Sequence, residues 1–372
     1  MRKISFLLIA FTIIFSSCGN IKKIKPSNKI VKIAVLAPMS GKYKRIGVQG
    51  LIGLNYTKKL YKYLKNGDEI KFEVVDTKSK PNYTKKLFIK LAKKDDIAAI
   101  ISLMPSDNML QIYSIFQRYK LPVIATVATN NDIVRDGGYV AQVCMNNHTQ
   151  ALIAAHYIKD EKLIEHVNIF YDGSSKYSIS LKKEFKQLFI GLNGKIDHIF
   201  DINKKDNLAK IKDMKMDKDT MIFNSASAIL LDKILKTKSW NTKILSTDGL
   251  LSNALENCKK DVALFDGIYV IEHFSYNIYK NKDFLSLNNF LDKKGVANST
   301  YAFLAYDSYR LLAHALNSCK DYSKECIKKQ LQNSDTIQGI EGKFTIENSK
   351  SKRGIFINNI ENSLLKKVLI ID

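Results

Sequence analysis

The stretch "LPVIATVATNN", residues 121–131, starts as a buried strand and ends in hydroxyls and amides. Leu121, Val123 and Ile124 suit a sheet interior, whereas Thr126, Thr129, Asn130 and Asn131 need partners or water. Upstream, "IAAIISLMPSDN", residues 97–108, repeats the pattern and breaks into Pro105, Ser106, Asp107 and Asn108. Near-continuous apolar runs of this length are the mark of parallel strands covered on both faces. In an open α/β sheet of that kind, ligands sit beyond the carboxyl ends of the strands. Ser106 and Thr129 stand at such ends.

Outward from these two stretches the alternation continues. Further strands are expected in "VKIAVLA", "IKFEVV", "VNIFY", "DTMIFN", "TKILST" and "GIYVIEH", with helices near 48–64, 83–94, 109–119, 150–158 and 177–189. Strands alternating with helices of this length define βαβ units. The series runs once from residue 31 to about 146 and again from about 147 to 274. A long helix then follows over 301–318, a shorter one to 331, and a polar-turned, hairpin-like ending. The reading is α/β, with two doubly wound parallel-sheet lobes and a cleft between them. A chain of 372 residues with 45% hydrophobic content has material for two cores.

The N-terminus gives an address. Arg2 and Lys3 precede an apolar run that stops at "SSC", the pattern of an export signal. The run is shorter than the ~20 residues a membrane span needs. Cys18 after Ser16 and Ser17 resembles a lipoprotein cleavage box, with Phe15 where leucine is usual. Residues 1–18 are therefore expected to be a lipoprotein-type signal with lipidation at Cys18, and 19–29 a solvated tether. The alternative is an ordinary secretory signal.

The formal charge of +23 does not indicate nucleic acid. Of 59 basic residues only six are Arg, and the Lys are scattered through every segment instead of clustering on one element. Dispersed Lys form solvated faces. Beyond Cys18 there are Cys144, Cys258, Cys319 and Cys326, with no C-x-x-C pair. Cys319 and Cys326 flank a short polar link and can form a disulfide outside the cytoplasm. The six histidines, His148, His156, His166, His198, His273 and His314, show no metal-ligand spacing. "GVQGLIG" places Gly47, Gly50 and Gly53 every three residues, which suits close helix packing and not a nucleotide loop. With no P-loop and no G-x-S-x-G elbow, neither an enzyme nor a metal or cofactor is expected.

Taken in order, several segments resemble the type I periplasmic binding proteins, in particular the leucine/isoleucine/valine-binding group of ABC transporter receptors. They are "IAVLAPMSGKYKRIGVQGLIGLNY", "FEVVDTKSKPNYTKKLFIKLAKKDDIAAII", "LPVIATVATNNDI", "FYDGSSKYSISLKKEF", "YAFLAYDSYRLLAHAL" and "IQGIEGKFTIENSKSKRGIFINNI". The resemblance implies lobe I from 30–146 plus 275–335 and lobe II from 147–274 plus 336–372, joined by three hinge crossings. It implies a ligand carboxylate held by Ser106, Thr129 and the backbone of Val127. An acid at Asp248 would face the ligand's ammonium, with Tyr177 and Tyr301 lining the cleft and Tyr43 a looser candidate. Ile46 and Ala226 stand where relatives have tyrosine, and Asn147 where an acid precedes Gln150. Asp107 adds a negative charge beside Ser106. The implied role is a solute receptor that docks on a membrane permease while anchored by lipid. The same fold is also used by envelope lipoproteins that bind and activate a peptidoglycan synthase.

Overall fold

The computed structural model describes residues 24–134, 138–217, 219–248, 250, 258, 261–275, 281–362 and 364–371. Strands β1 (Ile30–Ala37), β2 (Glu69–Asp76), β3 (Ile97–Ser102), β4 (Val123–Ala125) and β5 (Val140–Gln142) form one parallel set. Strands β6 (His166–Tyr171), β7 (Lys195–Asp201), β8 (Thr220–Asn224), β9 (Ile244–Ser246) and β10 (Tyr269–Glu272) form the second. The spatial orders are β2-β1-β3-β4-β5 and β7-β6-β8-β9-β10, so the two lobes repeat one doubly wound topology. Three short strands, β11 (Ile337–Gly339), β12 (Gly342–Glu347) and β13 (Lys350–Lys352), extend the first sheet past β5. Two longer antiparallel strands, β14 (Ile355–Glu361) and β15 (Leu364–Ile371), extend the second past β10.

Alternate residues of β1 explain why its apolar run is continuous. Ile33 and Val35 enter one core with the helix Thr300–Asn317, while Ala34 and Leu36 enter another under Phe88 and Phe116. The second lobe is likewise packed on both faces, by Phe170, Leu231 and Phe265 on one side and Phe185, Phe189 and Phe223 on the other. Helices α1 (Lys44–Leu60), α2 (Pro81–Ala92), α3 (Ser106–Met109) and α4 (Tyr113–Arg118) belong to the first lobe. The second carries α5 (Asn147–His156), α6 (Lys176–Gly191), α7 (Lys205–Lys212) and α8 (Ala228–Leu235). Pro81 opens α2 at a position that needs no N–H donor. The Gly47, Gly50, Gly53 stripe is a packing face. A Cβ on Gly53 would stand 2.2 Å from the Ala302 carbonyl oxygen, and one on Gly47 would stand 2.4 Å from that of Pro38.

The chain crosses between lobes three times: between β5 and α5, after β10, and between β13 and β14. The last crossing corrects the expected boundary at 336. Residues 337–352 remain with the first lobe because Ile337, Ile340, Phe344 and Ile346 fill its core and Lys350 pairs with Gln142. The crossings are tied to one another by buried polar groups. Met145 N–H donates to His273 Nε2 at 3.1 Å, and Ser275 N–H donates to the Glu341 carboxylate at 2.8 and 2.9 Å. Arg353 pairs with Asp307 at 2.8 Å, their side chains 7% and 0% exposed, and its guanidinium lies over the Phe274 ring. Losing either partner would leave a buried charge uncompensated, a cost of about 3–5 kcal/mol.

Cys319 and Cys326 are joined as a disulfide, Cα to Cα 5.9 Å, fastening the end of Thr300–Asn317 to the helix Lys324–Gln332. The tether expected over 19–29 is shorter than that. Ser27 N–H donates to the Gly67 carbonyl at 2.9 Å, and its hydroxyl bonds to Asp68, so the chain is already docked there. Cys18 and the export signal lie outside the described residues.

Candidate ligand-binding site

Between the lobes lies a cavity of about 180 Å³, at the carboxyl ends of both parallel sheets. From the first lobe come Tyr43 and Ile46 after β1, Ser106 and Asp107 after β3, and Val127 after β4. The second supplies Asp172, Ser175 and Tyr177 after β6, Ser225 to Ala228 after β8, and Thr247 and Asp248 after β9. Thr300, Tyr301 and Leu304 close it from the start of the long helix. Its polar and apolar walls suit a small amphipathic molecule.

Ser106 is 2% exposed and its Oγ accepts the Asn130 N–H at 3.2 Å. That bond uses a lone pair, so the hydroxyl proton is free for a molecule in the cavity. Ser106 does not cap the short helix that it begins; the capping position is Pro105. Thr129 stands apart from the other expected residues. It is not among the cavity's lining residues, and its carbonyl accepts the Asn147 N–H at 2.8 Å where the chain first crosses. The strand ends at Ala125, and much of its polar tip is engaged at the crossing, although the buried Thr129 hydroxyl has no hydrogen-bond partner. Gln142 Nε2 donates to the Ala128 and Asn130 carbonyls, and the Asn131 amide oxygen accepts the His148 N–H. Thr126 bonds to Ser308 of the long helix.

In the second lobe Asp248 is half-buried and lines the cavity. The Tyr177 hydroxyl donates to its Oδ1 at 2.6 Å and lies 2.9 Å from Thr247 Oγ1. Gln150, fully buried on α5, accepts the Asp248 N–H at 3.3 Å and so fixes the loop that carries the acid. Burial raises the Asp248 carboxyl above the ordinary carboxylate value, while the Tyr177 and Gln150 bonds act in the other direction. Tyr177 is itself raised, first by burial and then by Asp248. Tyr301 accepts from Arg45 Nη2 at 3.1 Å, with the guanidinium over its ring. Its own O–H proton therefore remains available.

Asp107 lines the cavity and reaches across it toward the second lobe. Its Oδ1 accepts the Lys176 N–H at 2.8 Å, and its Oδ2 accepts the Tyr43 hydroxyl at 3.1 Å. Burial, with Asp107 second, raises the Tyr43 phenol. Sequence reasoning found Ser106, Val127, Tyr177, Asp248 and Tyr301 as cavity residues. It missed Asp172, Thr247 and the supporting part of Gln150, although Asp172 stands in "FYDGSSKY" three residues before the Ser175 that caps α6.

The model of the periplasmic binding protein family matches residues 30–359. The chain belongs to that family. Among solved structures it is similar to the leucine binding protein LivK of Thermotoga maritima, at 20% identity and TM-score 0.79, over 92% of this chain and 99% of that one. It is similar to the branched-chain amino acid transporter substrate binding protein LivJ of Streptococcus pneumoniae, solved with isoleucine, at 19% identity and TM-score 0.78, over 92% and 99%. A solute binding protein of an ABC transporter from Rhodopseudomonas palustris, solved with p-hydroxybenzoic acid, aligns at 18% identity and TM-score 0.78, over 92% and 97%. No curated protein matches the sequence. The fold is thus the type I periplasmic binding protein fold.

Proposed function

We propose that this chain is an extracytoplasmic solute receptor of an ABC importer. It takes an amino acid or similar small polar ligand into the inter-lobe cleft and closes over it by hinge motion. The observation that carries this reading is the placement of a free hydroxyl on Ser106 and a carboxylate on Asp248 on opposite walls of one cavity. A ligand's polar or anionic group would take the Ser106 hydroxyl, and an ammonium would pair with Asp248. The family membership and the ligands of the similar structures support binding over catalysis. In this reading the N-terminal run of residues 1–18 directs export, Cys18 carries a lipid tether at the cell envelope, and a membrane permease is the docking partner. Among the described residues no helix is long and apolar enough to cross a membrane.

The test is calorimetric titration of site variants with the ligand that binds the parent chain. Ser106→Ala and Asp248→Ala are each expected to weaken binding by about tenfold or more, the size of one charge-assisted hydrogen bond. Thr129→Ala, off the cavity, should leave affinity nearly unchanged. Unaltered affinity in both of the first two variants, with folding intact, would refute the site.

A further inference from the structure

Helix α6 begins at the cleft with an anion already on its first N–H groups. Asp107 reaches across from the first lobe, and its Oδ1 accepts from Lys176 N at 2.8 Å and Tyr177 N at 3.4 Å. These are the first two residues of a sixteen-residue helix. Its opening N–H groups and dipole favour negative charge. Tyr43, on the same lobe as Asp107, holds the other carboxylate oxygen at 3.1 Å. Other bonds between the lobes here are Asn130 Nδ2 to the Lys176 carbonyl at 3.5 Å, Asn131 Nδ2 to Glu184 at 3.1 Å and, at the crossing itself, Asn147 N–H to the Thr129 carbonyl at 2.8 Å and His148 N–H to Asn131 Oδ1 at 3.1 Å. The charged side chains lining the cavity are Asp107, Asp172 and Asp248; no Lys or Arg is among the described lining residues.

We propose that Asp107 is an internal anion that fastens α6 to the first lobe and thereby sets the charge the cleft accepts. The N–H groups that α6 turns toward the cleft are filled from within the protein and are not offered to an anionic ligand. A ligand whose only charge is negative must then lie among like charges without those N–H donors, whereas an ammonium meets carboxylates on both walls. Asp107 is thus a specificity-determining residue favouring amine-bearing ligands. The charge preference rests on the solute-receptor reading above. The fastening does not, because the bonds to Lys176 and Tyr177 are made between groups of the protein itself.

Two measurements on the mature chain, Asp107→Asn and Asp107→Ala test this, with circular dichroism checking that each variant is folded. The first is small-angle X-ray scattering without ligand. The parent chain is expected to be compact, and Asp107→Ala to show a larger radius of gyration, with Asp107→Asn between them. The second is calorimetric titration with three probes on one skeleton: leucine, 3-methylbutylamine and 4-methylpentanoate. The parent should bind the amine-bearing probes at least about tenfold tighter than the acid, and Asp107→Ala should narrow that ratio about tenfold by strengthening the acid. An unchanged radius of gyration in Asp107→Ala overturns the fastening. Equal binding of acid and amine by the parent, or an unaltered ratio in the variant, overturns the specificity. If none of the probes binds but the variant opens, the fastening stands and the amino-acid receptor reading fails by itself.

Discussion

Asp248 sits in a cleft that disfavours its charge. Burial raises its carboxyl above the ordinary 3.8, so part of its population holds a proton at acid pH where a free aspartate would not. An arriving ammonium favours the ionised form. Binding of an amine-bearing ligand should therefore release protons, and affinity should climb with pH from about the ordinary aspartate range until Asp248 is fully ionised in the empty cleft. Titrations at acid pH in two buffers of different ionisation enthalpy measure that release; equal heats in both would contradict it. For stability the sign is the reverse. A raised carboxyl contributes most below its unfolded value, and that contribution is lost as pH rises through the folded one. Asp248→Asn should thus raise the melting temperature of the ligand-free protein at neutral pH while weakening binding. At this scale the sequence was a partial guide. It put Ser106 at the carboxyl end of an apolar strand, whereas Asp248 came from the family resemblance; both line the cavity. It did not distinguish Ser106 from Thr129, since which hydroxyl faces the cavity depends on the path of the chain after Ala125. Nor could it say where Asp107 points, because its partners, Lys176 and Tyr177, lie in the other lobe.

At the scale of elements, the buried strands were legible and the edges were not. β1, β3 and β8 are apolar because both faces are covered. β7, "KIDHIFD", lies at the sheet's edge with most of its residues exposed, so its composition carries no strand pattern strong enough to read. β5 has only three residues, and β11 to β13 are short strands whose sheet is decided by long-range pairing. Glycine spacing was informative. The stripe at Gly47, Gly50 and Gly53 lets α1 approach the first strand's exit and the helix Thr300–Asn317 at backbone distance. Gly53→Ala puts a methyl against the Ala302 carbonyl and forces the helices apart, an overpacking cost of about 1–3 kcal/mol. A lowered melting temperature is expected in a thermal scan; an unchanged one would show that the helix contact gives way freely.

For the whole molecule, the repeated strand order and the three crossings put one cavity where two sheet ends face each other. Two lobes were readable from length and from the doubled βαβ series. The third crossing was not, because a hairpin-like ending is compatible with either sheet, and only the burial of Phe344 and Ile346 in the first core assigns it. The crossings themselves are held by His273, Glu341 and the Asp307–Arg353 pair, none of which advertises itself in sequence. Burial holds the His273 imidazole well below its ordinary 6.5, which suits a ring nitrogen that accepts the Met145 N–H, and pushes Glu341 up to about 8. The hinge thus joins two lobes whose closed arrangement surrounds a solute-sized space, and the account rests on that space being filled. The most direct measurement is a thermal-shift screen of the mature chain against amino acids, amines, amides and small aromatic acids. A ligand at a hundred times its dissociation constant adds about 2.7 kcal/mol, a rise of a few degrees for a protein of this size. A clear rise with one class of amine-bearing solute is the expected result. A well-folded protein that melts at one temperature across the whole panel would contradict the receptor reading and favour a protein partner instead.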